Sequence, residues 1–227
     1  TANYLKKFPI TRIYTSPLKR CWETAEIIAK TLKLSFDIEE DLRERINWGD
    51  DPNLSFEEFL KLWEKTSTNR DWKPQFGDSS RNAGKRLEQV IKELSHNNSH
   101  TVFVTSGGII TDFLRNVFSE DYLRKFKSDF PEKREKYVKE CSITVVREAN
   151  SNFELIKLAS DDHLFRSNNK YTGCGLKYIL NRNYIFPKTG KVFSKAFKRD
   201  CLAFSRGSFI VVPAAPLWPP PFSPTFL

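Results

Sequence analysis

Arg12-Ile13-Tyr14-Thr15-Ser16-Pro17-Leu18-Lys19-Arg20-Cys21-Trp22-Glu23-Thr24-Ala25-Glu26 is the stretch that decides the fold. Arg12–Thr15 is a β-branched and aromatic run and reads as a short strand. Ser16-Pro17 ends it. Serine suits a helix cap and proline's fixed φ suits a first helical turn, so a helix is expected from Pro17 to about Leu32. Leu18, Trp22, Ala25, Ile28, Ala29 and Leu32 keep helical spacing and define its buried face. A strand that passes directly into an amphipathic helix is the opening of a β-α unit.

The same pattern returns downstream. Thr101–Thr105, TVFVT, reads as a buried strand, Ser106-Gly107-Gly108 as a tight turn, and Ile109, Ile110, Phe113, Leu114 and Val117 as the face of the next helix. Between the two units lie a short strand at Ser35–Ile38 and an irregular charged stretch from Glu39 to Pro52. A helix opened by the capping-box pair Ser55 and Glu58 carries Phe56, Phe59, Leu60 and Trp63 on one side. After the loop Lys73–Asp78 a further helix starts at Ser79 or Ser80, with Leu87, Val90, Ile91 and Leu94 inward. Leu5 closes an apolar helix face near the start of the chain. Lys136–Val146 and Phe153–Leu158 read as two closing strands joined at Asn150–Asn152. Strands alternating with helices predict an α/β fold, a three-layer sandwich with a mostly parallel central sheet and helices on both faces. Ligands of such sheets sit beyond the carboxyl ends of the strands, which points at Ser16, the loop after Ile38, and Ser106.

Composition sets outer bounds. The 227 residues are 39% hydrophobic and 29% charged, a globular composition with room for one ordinary domain and extra material. The net charge of +9 is confined to one end: Thr1–Leu164 holds 27 basic and 27 acidic residues, Phe165–Leu227 ten basic residues and Asp200. Seven of the 12 prolines are in that second part. This divides the chain into a domain at 1–164 and a basic, aromatic, Pro-rich tail at 165–227. The tail carries no nucleic-acid-binding motif and reads as solvated, despite its charge. Cys21, Cys141, Cys174 and Cys201 form no C-x-x-C pair, and no His/Asp/Cys cluster has metal-ligand spacing, so neither a disulfide framework nor a metal or other cofactor is expected. No apolar run is long enough for a membrane helix and no leader opens the chain, so a reducing cytoplasmic setting is expected. Methionine is absent even from position 1, which marks the chain as processed, trimmed or a fragment.

Three segments at the strand ends carry chemistry. Arg20, one turn into its helix, can hold a phosphate by a bidentate fork; the alternative is a surface arginine paired with Glu23 or Glu26. Glu44, among Arg43, Arg45 and Trp48, can act as a general acid; the alternative is a solvated loop carboxylate. Ser106-Gly107-Gly108 can turn backbone amides toward an anion; the alternative is a tight helix entry.

Together these segments resemble the histidine phosphatase superfamily, the phosphoglycerate mutase-like enzymes. SPLKRCWETAEIIA is similar to that family's S-P-L-x-R-A-x-x-T-A signature, and LRERINWGD to its L-x-E-x-x-x-G segment. Gly77-Asp78-Ser79 followed by Arg86 resembles its G-E-S…R helix start, and TVFVTSGGII its strand-H-G-G-x-I motif. Cys141-Ser142-Ile143-Thr144 and Asp162-His163-Leu164 resemble its last hairpin. The resemblance runs in register from Thr1 to Leu164 and leaves the tail uncovered.

The resemblance implies hydrolysis or transfer of small phosphomonoesters through a phosphohistidine. Arg20, Ser106 and Gly107 are then the phosphate-binding residues and Glu44 the acid that protonates the leaving oxygen. It also implies two losses. The first strand with its R-H-G motif, and hence the nucleophilic histidine, is missing from the chain, and the second histidine is replaced by Ser106, which brings no positive charge. His96, His100 and His163 stand elsewhere. The expectation is a phosphatase-like domain that is inactive as it stands, with a non-catalytic phospho-ligand-binding or interaction module as the alternative. A serine hydrolase built on Ser106, Asp129 or Asp161, and His163 is opposed by Val104, where a nucleophile elbow needs glycine. The resemblance further places the empty first-strand slot between Arg12–Thr15 and Thr101–Thr105, with Phe209–Val212 as the candidate to fill it.

Overall fold

A computed structural model describes residues 1–95, 100–132, 137–149, 152–165 and 208–213. After a short helix α1 (Ala2–Leu5) the chain forms β1 (Ile10–Thr15), α2 (Lys19–Leu32) and β2 (Asp37–Ile38). A 3-10 turn at Glu40–Leu42 leads toward α3 (Phe56–Thr68) and α4 (Ser80–Leu94). Then come β3 (His100–Thr105), α5 (Gly107–Val117), α6 (Glu120–Arg124), β4 (Ile143–Ala149) and β5 (Asn152–Ser160). A four-residue helix, Asp162–Phe165, follows, and β6 (Ser208–Pro213) comes last in the chain.

The strands make one sheet in the order β2-β1-β3-β6-β4-β5. β2, β1, β3 and β6 are parallel, while β4 runs antiparallel to both β6 and β5. The pleat sends alternate residues to opposite faces, and the sequence supplies apolar residues for both. Ile13, Val102, Val104, Ile143 and Val145 pack with Leu5, Cys21, Ala25 and Ile28 on one face. Tyr14, Phe103 and Val146 pack with Leu87, Ile91, Ile110, Phe113 and Phe130 on the other. In-register pairing of Tyr14 with Phe103 stacks their rings at 5.7 Å. The three-layer, mostly parallel α/β fold expected from the sequence is the fold observed.

Several boundaries move, each for a local reason. α2 starts at Lys19 with Leu18 as its cap residue in extended conformation, because the Ser16 amide is still donating to the Val104 carbonyl at 2.9 Å as a continuation of the strand pairing. β4 begins at Ile143 rather than near 136: Lys139 N–H bonds Tyr137 O, Ser142 N–H bonds Lys139 O, and Cys141 has φ of 61°, so this segment turns instead of extending. The capping box at α3 is complete, with Ser55 Oγ accepting from Glu58 N–H and the Glu58 carboxylate accepting from Ser55 N–H.

The slot expected between β1 and β3 does not exist. Those strands pair directly, Ile13 opposite Val102, Tyr14 opposite Phe103 and Thr15 opposite Val104, so their facing edges are already satisfied. The edges that need a strand are the other side of β3 and the near side of β4. Ser208–Pro213 lies there, with Phe209–Val212 opposite Thr101–Val104 on one side and Phe209–Val211 opposite Thr144–Val146 on the other. The rest of the tail, residues 166–207 and 214–227, lies outside the described residues, as do His96 and the turn at Asn150–Ser151. Among the described residues no helix is long and apolar enough to cross a membrane.

Candidate functional site

The carboxyl ends of β1, β2 and β3 meet at one edge of the sheet. Glu39 N–H donates to Thr15 O at 2.8 Å, and Thr105 Oγ1 bonds Leu42 O, which fastens the Glu40–Arg45 segment over the end of β3. Arg20 projects from the first turn of α2 toward this edge. Its Nη2 donates to Ser106 Oγ at 2.9 Å and its Nη1 to Asn47 Oδ1 at 3.0 Å. The Arg20 guanidinium therefore points into the site, while Glu23 pairs with Lys19. Ser106 caps α5 without a side-chain cap bond, since its hydroxyl faces Arg20. Cys21 Sγ lies 3.9 Å from the same hydroxyl, and burial pushes the Cys21 thiol up, opposed by Arg20.

Glu44 is buried, not solvated. One carboxylate oxygen accepts from Gly108 N–H at 3.0 Å and the other from Arg45 N–H at 2.9 Å. The Gly108 amide expected to face an anion is thus taken by an internal carboxyl. A Cβ at Gly108 would lie 2.5 Å from the Trp63 ring and 2.6–2.7 Å from both Glu44 oxygens, so only glycine lets the carboxyl reach this helix end. Burial raises the Glu44 pKa above the usual carboxylate range; Asp112 adds to this, while Arg45, its amide and Arg20 oppose it. Gly107, also expected to bind phosphate, opens α5 and is backed by the Val138 carbonyl, 3.2 Å from where its Cβ would stand.

Under Glu44 lies a polar cluster that the sequence reading did not anticipate. Arg45 is 1% exposed and donates to Asp112 Oδ2 at 2.8 Å, Ser67 Oγ at 2.7 Å and Thr66 Oγ1 at 3.0 Å. Its guanidinium also sits 3.8 Å from the Trp63 ring centre. Asp112 Oδ1 accepts from Ser80 Oγ at 2.6 Å. A signal for this was present: Asp112 interrupts the otherwise apolar face of α5 between Ile109 and Phe113. Gly77 completes the support. With φ of 101° it turns the chain so that Asp78 N–H donates to Arg45 O at 2.7 Å. A groove of about 810 Å³ between Glu40–Asp50 and Gly77–Gln89 is bordered by Glu44, but by neither Arg20 nor Ser106.

The described histidines take no part in the Arg20–Ser106 contact. His100 opens β3 at its amino end. His163 Nε2 bonds Thr1 Oγ1 at 2.9 Å and its ring stacks on Tyr4; burial lowers its pKa to about 4. Among the described residues no group of three or more His, Cys, Asp or Glu is arranged to hold a metal ion.

A parallel sheet with arginine, a strand-end turn and a buried carboxyl at one edge agrees with the family model for the histidine phosphatase superfamily (branch 1), which matches residues 1–161. The chain belongs to the histidine phosphatase superfamily. Among curated proteins it is similar to phosphoglycerate mutase-like protein 4 of Arabidopsis thaliana, 35% identical over 114 residues. That match covers 46% of this chain and 49% of the relative, so the chain spans about half the length of the curated protein it matches. Among solved structures, YhfR of Bacillus stearothermophilus aligns with a TM-score of 0.50 and 19% identity, over 72% of this chain and 80% of that one. A native mycobacterial glucosyl-3-phosphoglycerate phosphatase aligns at 0.49 and 17%, over 70% and 81%. The superfamily fold accounts for the placement of strand ends and site residues on a single edge.

Proposed function

We propose that this 227-residue chain is a phosphomonoester-binding domain of the histidine phosphatase superfamily that does not turn its ligand over. Arg20 carries the reading: its guanidinium is held by Ser106 and Asn47 at the carboxyl edge of the sheet, and its charge acts on the buried Glu44 carboxyl. In this reading Arg20 takes two phosphoryl oxygens in its fork, Ser106 Oγ, which accepts from Arg20, donates its own proton to one of them, and Gly107 at the head of α5 lies alongside. Burial raises the Glu44 pKa, so the carboxyl keeps its proton to a higher pH than an ordinary glutamate, against the Gly108 and Arg45 amides that donate to it and favour the ionised form. The protonated carboxyl is the state a general acid needs to protonate a leaving oxygen.

The step before that protonation requires a nucleophile. The superfamily's phosphohistidine forms on a histidine in R-H-G, and that tripeptide does not occur in the 227 residues. At the second histidine position Ser106 supplies a hydroxyl and no charge, so positive charge on the phosphoryl group falls to Arg20 alone among these residues. Loss of one member of a catalytic unit typically costs several powers of ten in rate. Binding persists because it needs the arginine and the donors, not the nucleophile.

The test is paired. Inorganic phosphate or vanadate binds the chain in a calorimetric titration, and Arg20→Ala weakens that binding at least tenfold. The same preparation releases no phosphate from a generic phosphomonoester above a buffer blank. Turnover that disappears in Glu44→Ala overturns the non-catalytic reading. Phosphate binding that is indifferent to Arg20→Ala overturns the site.

A further inference from the structure

Arg20 is held differently from other arginines of the fold. Arg43, Arg45, Arg81 and Arg86 each face a carboxylate: Asp50, Asp112, Asp71 and Asp78. Among the described residues Arg20 forms no ion pair. Its guanidinium donates to two neutral oxygens, Asn47 Oδ1 at 3.0 Å from Nη1 and Ser106 Oγ at 2.9 Å from Nη2. Two bonds from two nitrogens fix the plane of the group. They use two of an arginine's five N–H donors and leave the others for an incoming anion. Because neither acceptor is charged, they also leave the positive charge uncompensated.

A carboxylate stands close by, in the same turn as Asn47, and is kept off the guanidinium. Asp50 N–H returns to the Asn47 carbonyl at 3.1 Å. The Asp50 carboxylate accepts from Asn47 N–H at 3.1 Å through Oδ2, while Oδ1 faces Arg43 at 3.6 Å. The Asn47 side chain is anchored at its other end as well, because Nδ2 donates to the Trp48 carbonyl at 3.1 Å. That bond settles which end of the amide meets Arg20. The turn therefore directs its acid toward Arg43 and its neutral oxygen toward Arg20.

We infer that Asn47 is a positioning residue of the anion site: it aims the Arg20 guanidinium with a neutral acceptor and so preserves the charge that a phosphoryl group needs. The inference rests on the phosphomonoester reading and adds the residue that acts through its arginine. A carboxylate at this place would hold the guanidinium at least as firmly, since charge-assisted hydrogen bonds are the stronger ones. It would also compete with phosphate for the same charge and repel the phosphate oxygens. Alanine has the opposite effect. It leaves the charge free but holds the guanidinium through Ser106 alone, so that ordering the group falls to the ligand and lowers its affinity. Holding and charge are thus separable by two substitutions at one position.

The test titrates the full chain with inorganic phosphate in a calorimeter, beside Asn47→Ala and Asn47→Asp, with the urea midpoint showing that each variant is folded. Asn47 is a half-buried turn residue, so neither substitution opens the core. Both variants lose the bond to the Trp48 carbonyl, and the difference between them therefore reports the charge. Asn47→Ala is expected to weaken phosphate binding by about threefold or more, and Asn47→Asp to weaken it further than Asn47→Ala does. A merely structural role gives the reverse order, because aspartate is close to asparagine in shape and still an acceptor for Arg20, whereas alanine is neither. Failure of inorganic phosphate to bind the parent chain overturns the phosphomonoester reading and this inference with it. Phosphate binding by the parent that is undiminished in Asn47→Ala, or that is at least as tight in Asn47→Asp as in Asn47→Ala, overturns the assignment of Asn47 alone.

Discussion

Arg45→Met is the perturbation that tests whether the cluster beneath Glu44 is a built support. The guanidinium is 1% exposed and satisfies three acceptors, Asp112, Ser67 and Thr66, while stacking on Trp63. Methionine keeps the length of the stem and loses every donor. Asp112, 2% exposed, would retain only the Ser80 hydroxyl on its carboxylate. An ion pair in this setting gains little net stability as a pair, because desolvating both charges offsets their attraction. Removing one partner, however, strands the other, at a cost of about 3–5 kcal/mol. Against a total stability on the order of 5–15 kcal/mol that is a large share.

Urea unfolding followed by circular dichroism reads this directly, since an unchanged slope with a lowered midpoint reports stability and not a change in compactness. The double variant Arg45→Met/Asp112→Leu discriminates further. Replacing both charges by apolar groups of similar volume is expected to recover at least half of the single-variant loss. A single-variant loss below about 1 kcal/mol would refute the reasoning, because the Asp112 carboxylate would then be finding water or another donor. A double variant as damaged as the single would refute it differently, by showing that shape and not charge is what the site requires.

Three further outcomes follow from the same geometry. Between the ordinary glutamate pKa and its raised value the folded chain holds a proton on Glu44 that the unfolded chain has lost, so stability falls as pH rises through that window, by up to about 1.4 kcal/mol per pH unit; Glu44→Gln removes that slope when urea midpoints are compared with the parent at each pH, and a difference between variant and parent that is flat with pH refutes it. Gly77→Ala is destabilising beyond the usual glycine-to-alanine effect, because φ is 101° and the added Cβ would lie 2.4 Å from the Arg45 carbonyl oxygen; an unchanged thermal midpoint contradicts it. Val211→Pro in β6, which pairs with Phe103 and Thr144, removes a ladder donor from an inner strand and costs roughly 1–3 kcal/mol or more; a variant as stable as the parent shows the sheet does not depend on this strand.

Patterns of apolar residues carried most of the fold. β1 and β3 were legible because their runs are short, β-branched and followed directly by helix signals, and α3 because its capping box is spelled out in Ser55 and Glu58. The site was legible as three segments but not as an arrangement. Spacing alone left Arg20 free to pair with Glu23, and only the folded distances bring it to Ser106. Glu44 read equally well as a solvated loop carboxylate, since nothing local shows that Thr105 anchors its loop or that Gly108 leaves room for its carboxyl. The Arg45–Asp112 pair was hidden for a general reason: the two residues lie 67 positions apart, and their partners Trp63, Thr66 and Ser67 on α3 and Ser80 on α4 come from two further elements. An aspartate on an apolar helix face was the one visible sign.

The sheet order sets the terms for the tail. β3 is the strand whose end carries Ser106, and it has two edges; β1 covers one, and among the described residues nothing between β3 and β5 in the chain covers the other. β4 and β5 form a hairpin, so β4 likewise has a free edge facing β3. Two edges of this kind, one requiring a parallel and the other an antiparallel partner, leave a strand-width opening in the middle of the sheet. An apolar β-branched segment is what such an opening takes, and Phe209-Ile210-Val211-Val212 supplies it from the far end of the chain, parallel to β3 and antiparallel to β4. Pro213 ends the run, opposite Thr105, the last residue of β3. Proline lacks the donor that would extend the ladder, and the described pairing ends level with the turn that positions Ser106. The segment that completes the sheet therefore joins β1, through Thr15 and Ser16, and the Leu42 carbonyl in holding the end of β3 from which the Ser106 hydroxyl meets Arg20. Stability of the middle of the sheet and geometry of the anion site are for that reason coupled in this chain.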